Sequence, residues 1–248
     1  MFPIRDHNPS GRVPYVTYGL MAANILIYIS YAGFIGDGAR FGAFLNDWAL
    51  IPAEVANGVD QHTVLTSMFL HGGFMHLAGN MLFLWIFGDN LEDALGHVPF
   101  LIFYLVCGLV ADAAHIMSDP DSLVPLVGAS GAIAGVMGGY LLLYPRAQVD
   151  VLLIFIVFFR VFTISAWIVL AIWFGIQIIS GSVIDAAGGG VAYWAHAGGF
   201  VAGMVFILPL WLRLGGTGFW SRNDGHPPHP EQEIPEQISR IPVVRRRR

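Results

Sequence analysis

The chain contains no lysine; all 12 of its basic residues are arginines. It has a single cysteine, Cys107. One thiol excludes an intramolecular disulfide and a cysteine-rich metal site, and its apolar surroundings read as inert packing. Charged residues make up only 12% of the chain, against about 25% in soluble domains, which excludes an ordinary soluble surface. No folded basic domain accompanies the arginines, so no nucleic-acid partner is expected. Residues 1–15 are polar and proline-punctuated, without the basic, apolar and small-residue order of a cleavable signal peptide. No internal repeat suggests a transporter built from two similar halves.

What the chain has instead is hydrophobic sequence, 56% of 248 residues, in long recurring runs. A run of about 18 or more apolar residues is the signal for a spanning helix. The reading is an all-α, multi-pass integral membrane protein with six transmembrane helices. They are expected at residues 17–35, 68–88, 100–117, 130–144, within 151–179, and 193–214. The run 151–179 is too long for one crossing of about 20 residues. Arg160 splits it, placing "VLLIFIVFF" along the membrane surface and starting span five near Val161. Residues 1–16 read as a cytoplasmic segment, residues 17–214 as the six-span domain, and residues 215–248 as a polar, proline-rich tail ending in "RRRR" that is expected to be disordered.

Orientation follows from arginine. With the N-terminus in the cytoplasm, Arg5, Arg12, Arg146, Arg160, Arg213, Arg222, Arg240 and the terminal four all fall inside, and only Arg40 falls outside. That asymmetry is the positive-inside pattern. The terminal run also suits anionic membrane lipids. Spans two, four and six then run from outside to inside, so polar residues near their starts share the outer half of the membrane.

Polar side chains inside spans are costly, which makes each a candidate functional residue. Span two reads "HGGFMHLAGN", with His76 and Asn80 four apart on one helical face and His71 above them. Span six opens "YWAHAGGFVAG", with His196 near its outer end and Gly199 and Gly203 on the same face. Span four supplies Ser130, then Gly131, Gly135, Gly138 and Gly139. Glycines at such spacing let two backbones approach closely, which would bring Ser130 to His196. Span four is also short. About 15 residues at 1.5 Å each cover roughly 22 Å of a hydrocarbon layer about 30 Å thick. Ser130 is therefore expected below the outer surface, at the foot of a wet cavity. Serine needs a base to become a nucleophile, and histidine is the usual one. Asn80, His76 and backbone N–H groups at the start of span four are candidate oxyanion donors. No carboxylate can be placed behind His196 from spacing; Asp112 and Asp185 are the nearest candidates, and a Ser–His dyad is the expectation. Trp167, Trp173 and Trp211 read as lipid-facing or interfacial anchors, and His97, His115, His226 and His229 as interfacial or solvated residues. A metal site built from His71, His76, His115 and His196 competes, but no His-Glu-x-x-His helix or carboxylate cluster accompanies those histidines.

Three motifs together resemble the rhomboid family of intramembrane serine proteases, in its bacterial-type six-span form. They are "HGGFMHLAGN" at 71–80, "GASG" at 128–131 and "AHAGGFVAG" at 195–203, in the family's order. The resemblance implies a serine endopeptidase that cuts transmembrane proteins within or near the outer half of the bilayer, without a cofactor. It implies Ser130 as nucleophile, His196 as general base, and His76, Asn80 and the backbone near Gly128 as stabilisers of the transition state. Expected substrates carry helix-destabilising residues, and the expected location is the bacterial inner (plasma) membrane with both termini cytoplasmic. A catalytically inactive, rhomboid-like binding or quality-control factor is the alternative, although such a protein would be expected to lack Ser130 or His196. Two positions depart from some family members. Ala134 stands where a tyrosine stacks on the histidine, and Trp48 is followed by Ala49 rather than arginine.

Overall fold

The chain begins with a strand, β1 (Phe2–Asp6), and reaches its first apolar helix, α1 (Tyr15–Tyr31), directly after Pro14. Proline has no side chain able to cap, and the first N–H groups of any helix lack intrahelical partners. Glu92, far along the sequence, fills the gap. Its buried carboxylate accepts from Val16 N at 2.9 Å, Thr17 N at 2.7 Å and the Thr17 hydroxyl at 2.7 Å. The computed structural model describes residues 2–8, 10–155, 158–183 and 191–230.

Beyond α1 the chain forms three short helices, α2 (Gly38–Trp48), α3 (Pro52–Ala56) and α4 (Thr63–Thr66). Asp37 caps α2 by accepting from Ala39 N and Arg40 N. The sequence "LHGG" then breaks the path, and α5 (Phe74–Leu95) leaves at 89° to the preceding turn. Gly96, at φ +82°, closes α5 and starts α6 (His97–Ser118); a side chain there would be strained. The central helix is α7 (Ser130–Leu143). It is apolar on every side and buried from Gly131 through Tyr140, as a helix with no polar face requires. Two strands follow, β2 (Gln148–Phe155) and β3 (Phe158–Ser165), then α8 (Ala166–Val183), α9 (Tyr193–Arg213) and α10 (Thr217–Asn223).

The protein is thus mostly helical and integral to the membrane. Among the described residues, four helices are long and apolar enough to cross a bilayer: α1, α6, α8 and α9. The bent pair ending in α5 makes a fifth, and α7, at 14 residues, is shorter. Length and composition therefore support four or five full spans, and the expected six is reached only by counting α7.

The structure corrects three expectations. β2 and β3 pair antiparallel, so span five begins at Ala166 and not near Val161. β-branched and aromatic residues dominate these strands and favour a pleated surface. The expected cytoplasmic segment 1–16 is not separate: β1 pairs antiparallel with β2, giving a sheet of order β1-β2-β3. Asp150 holds that junction, accepting from Arg5 at 2.6 Å, Thr163 at 2.6 Å and His7 at 2.8 Å. Burial pushes the Asp150 carboxyl up, but these partners outweigh it and hold the group below the ordinary carboxylate range. The tail is partly built as well. α10 packs its Trp220 indole onto the Leu142 carbonyl at 3.0 Å, and His229 pairs with Asp93 at 3.0 Å. The terminal arginines lie outside the described residues.

Candidate active site

Glycine sets the distance between α7 and α9, whose interface is the most extensive in the protein. A Cβ on Gly199 would strike the backbone of Gly131, and one on Gly203 would strike the backbone of Gly135. On its other side α7 meets α6, where Gly135 faces Cys107 and Gly131 faces Ala111. The helices can approach this closely only because these positions have no side chains.

That approach joins the two reactive residues. Ser130 opens α7, His196 lies in the first turn of α9, and His196 Nε2 is 2.7 Å from Ser130 Oγ. They border a cavity of about 570 Å³ that is also lined by His76, Asn80, Phe83, Met137 and Trp173. The cavity therefore combines a few polar groups with apolar walls, as ligand sites do.

Two donors converge on the same space. The Gly72 N–H donates to His76 Nδ1 at 3.3 Å, which leaves the His76 proton on Nε2. That nitrogen points at Gly128, where an added Cβ would lie 2.9 Å from it. Asn80 is buried, and its Nδ2 donor has no hydrogen-bond partner among the described residues. An unpaired buried donor facing a cavity is poised to bind an oxygen that arrives with a substrate. Ser130 opens α7, so the unpaired N–H groups and the dipole of that helix N-terminus lie at the same end of the helix.

Gly128 differs from the expectation. Its N–H already donates to the Ser67 carbonyl at 3.0 Å, so it is not a free oxyanion donor. Its contribution is space: φ is +135°, and any side chain would collide with His76. His71 is fully buried, and its backbone is clamped by Tyr31, whose hydroxyl accepts from His71 N at 2.6 Å and lies 3.0 Å from His71 O. Its ring meets His76 edge to face at 5.1 Å.

The group behind His196 is not a carboxylate. His196 Nδ1 lies 2.8 Å from Gln177 Oε1, on α8. Asp112 is buried elsewhere on α6, and Asp185 lies outside the described residues. Trp173, expected at the lipid boundary, instead packs its ring 5.6 Å from that of His196. Gln177 was legible by the rule that flags Asn80: it is a lone amide inside an apolar span. Among the described residues, no group of three or more His, Cys, Asp or Glu is placed to hold a metal ion.

A short central helix presenting serine to histidine within a bundle of apolar helices defines a membrane protein with the geometry of a serine hydrolase. The Rhomboid domain family model matches residues 60–213, more than half of the chain, and the chain belongs to the Rhomboid family. It is 41% identical over 78 residues to Rhomboid protease GluP of Bacillus subtilis, covering 32% of this chain and 15% of that one. It is 35% identical over 95 residues to RHOMBOID-like protein 6, mitochondrial, of Arabidopsis thaliana, covering 38% and 29%. The match to Rhomboid protein 1, mitochondrial, of Saccharomyces cerevisiae is broader, 29% identical over 174 residues, covering 66% and 45%. The matched stretch spans less than half the length of each of these relatives.

Proposed function

We propose that this protein is an intramembrane serine endopeptidase that cleaves transmembrane protein substrates in or near the outer half of the bilayer. The observation that carries the reading is the 2.7 Å approach of His196 Nε2 to Ser130 Oγ beside a cavity of about 570 Å³. Ser130 Oγ attacks the scissile carbonyl carbon while His196 Nε2 takes its proton. The carbonyl oxygen becomes an oxyanion, held by Asn80 Nδ2, His76 Nε2–H and the start of α7. The C–N bond then breaks, and His196 returns the proton to the leaving amine. Water, with His196 again as base, hydrolyses the ester and restores Ser130.

A substrate helix must unwind to present its carbonyl, so helix-destabilising residues near the scissile bond are expected. The arginine distribution supports cytoplasmic termini, since Arg40 alone lies on the far side of α1. A bacterial inner membrane is the matching location.

The test uses the full chain in detergent with a helix-destabilised transmembrane reporter. Cleavage should vanish in Ser130→Ala and in His196→Ala, and a fluorophosphonate should label the wild type but not Ser130→Ala. Cleavage by Ser130→Ala at the wild-type rate would sink the mechanism. A wild type that binds reporter but neither cuts it nor takes the label would favour the inactive binding factor.

A further inference from the structure

A histidine acts as a base through one ring nitrogen only if the other holds the proton. In this site the question is which group enforces that choice. Ala134 has no ring to lay over His196, and among the described residues no carboxylate meets its Nδ1. The partner is Gln177, buried on α8 with 6% of its surface exposed.

We propose that Gln177 is a positioning residue that fixes His196 in the tautomer with its proton on Nδ1. This rests on the dyad reading above and deepens it. The amide is itself oriented: Gln177 Nε2 donates to the Trp173 carbonyl at 3.4 Å, one turn back on α8. Its Oε1 therefore faces His196 Nδ1, at 2.8 Å. A carbonyl oxygen only accepts, so this hydrogen bond exists only when Nδ1 carries the proton. The lone pair of Nε2 is then directed at Ser130 Oγ, as general base catalysis requires. When the proton moves from Ser130, the same carbonyl dipole stabilises the positive charge on the ring. A neutral amide does this without burying an ion, which is costly in an apolar interior.

The second restraint comes from the same helix. Trp173 lies four residues before Gln177, and its ring is inclined 35° to that of His196. α8 packs on α7 and α9 far less extensively than those two pack on each other. The base is thus aligned only while α8 is seated against α9, because both restraints leave with it.

The experiment compares Gln177→Met, which keeps the side-chain volume and loses the acceptor, with Gln177→Glu, which keeps an acceptor oxygen on the same stem. General base catalysis contributes about 100- to 10,000-fold; losing its orientation should lower kcat by about 10- to 100-fold in Gln177→Met. KM should stay within about twofold, fluorophosphonate labelling should slow in parallel, and Gln177→Glu should recover most of kcat. Wild-type kcat in Gln177→Met overturns the proposal. So does an equal loss in both variants at an unchanged melting temperature, which would make Gln177 a packing residue. Inactivity of Ser130→Ala alongside full kcat in Gln177→Met would leave the dyad standing and remove only this inference. Independently of any variant at Gln177, ¹⁵N spectra of histidine-labelled protein, with the signal identified by its loss in His196→Ala, report the tautomer. A proton on Nδ1 supports the proposal, and a proton on Nε2 overturns it.

Discussion

Replacing Gly203 by alanine adds one methyl group, about two helical turns along α9 from His196, and should nevertheless disable the site. The new Cβ would strike the Gly135 carbonyl oxygen first, and would lie 2.5 Å from the carbonyl carbon and 2.7 Å from Gly135 Cα. Carbon atoms pack best at about 3.5–4.0 Å, so α9 and α7 must part by about 1 Å. Both colliding groups are backbone, and no rotamer change relieves them. Ser130 and His196 sit on these same two helices, and their 2.7 Å contact would open to about 3.7 Å, beyond hydrogen-bond range. A misplacement of 1 Å costs about 100-fold in rate. Overpacking of this kind also costs about 1–3 kcal/mol of stability. Cleavage of the transmembrane reporter, fluorophosphonate labelling and melting temperature, all in one detergent, measure the two effects separately. Gly19→Ala on α1, where a Cβ meets nothing within 4 Å, is the matched control. Cleavage by Gly203→Ala within about twofold of the wild type would refute the claim that the glycine contact sets the dyad distance.

Three further outcomes are expected. Asn80→Ala removes the unpaired donor and should lower kcat by about 100-fold or more with little change in KM; an effect on KM alone would remove Asn80 from the oxyanion site. Asp6, on β1, has its carboxyl raised to about 8, first by burial and then by the charge of Asp89. A carboxyl raised above its ordinary 3.8 favours folding while protonated, so its contribution is complete below about pH 4 and lost as pH climbs through 8. The melting temperature should accordingly fall between about pH 4 and pH 8 and level off above that, and Asp6→Asn should flatten that fall; an unaltered slope in the variant would show that Asp6 is not the group responsible. Glu92→Ala strips the first turn of α1 of its acceptor and leaves buried N–H groups unpaired, at a cost of about 2 kcal/mol or more. A thermal melt identical to that of the wild type would refute that capping role.

Much of the helical frame and the pairing of Ser130 with His196 could be read from periodicity and polar outliers. Ser130, His196, His76 and Asn80 stand out because an apolar span gives a polar side chain no other reason to be there. The glycine positions at 131, 135, 199 and 203 were legible because small residues spaced by four mark a close helix contact. β2 and β3 were not legible as strands. Their hydrophobicity is that of a span, and the pairing of β2 depends on β1, 143 residues or more away in sequence. Gly128 was read as a donor because spacing cannot show that Ser67 already occupies its N–H. Gln177 stood out as a lone amide in an apolar span, but its contact with His196, like that of Trp173, could not be read from the sequence. A residue on α8 meets His196 only through the packing of α8 on α9, and neither helix has a pattern that fixes their rotation.

The position of Ser130 along the axis of α7 is set from the opposite end of that helix. At about 1.5 Å per residue, the 14 residues of α7 cover roughly 21 Å, so the height of the serine depends on where the other end of the helix is held. Four separate elements hold it. The Tyr140 hydroxyl donates to Asp6 of β1 at 3.1 Å, and Asn90 of α5 donates to the same carboxylate at 2.8 Å. Trp220 of α10 donates to the Leu142 carbonyl, one of the four that a helix end leaves unpaired. Ala166, at the start of α8, donates to the Ala147 carbonyl at 2.8 Å. β1, backed by α5, together with the tail helix α10 and the start of α8, is therefore what fixes α7 along its own axis. A short helix floating freely would let its serine drift past His196. Anchored at its far end, it holds the nucleophile at one level, and the glycine contacts with α9 then need to set only the lateral distance.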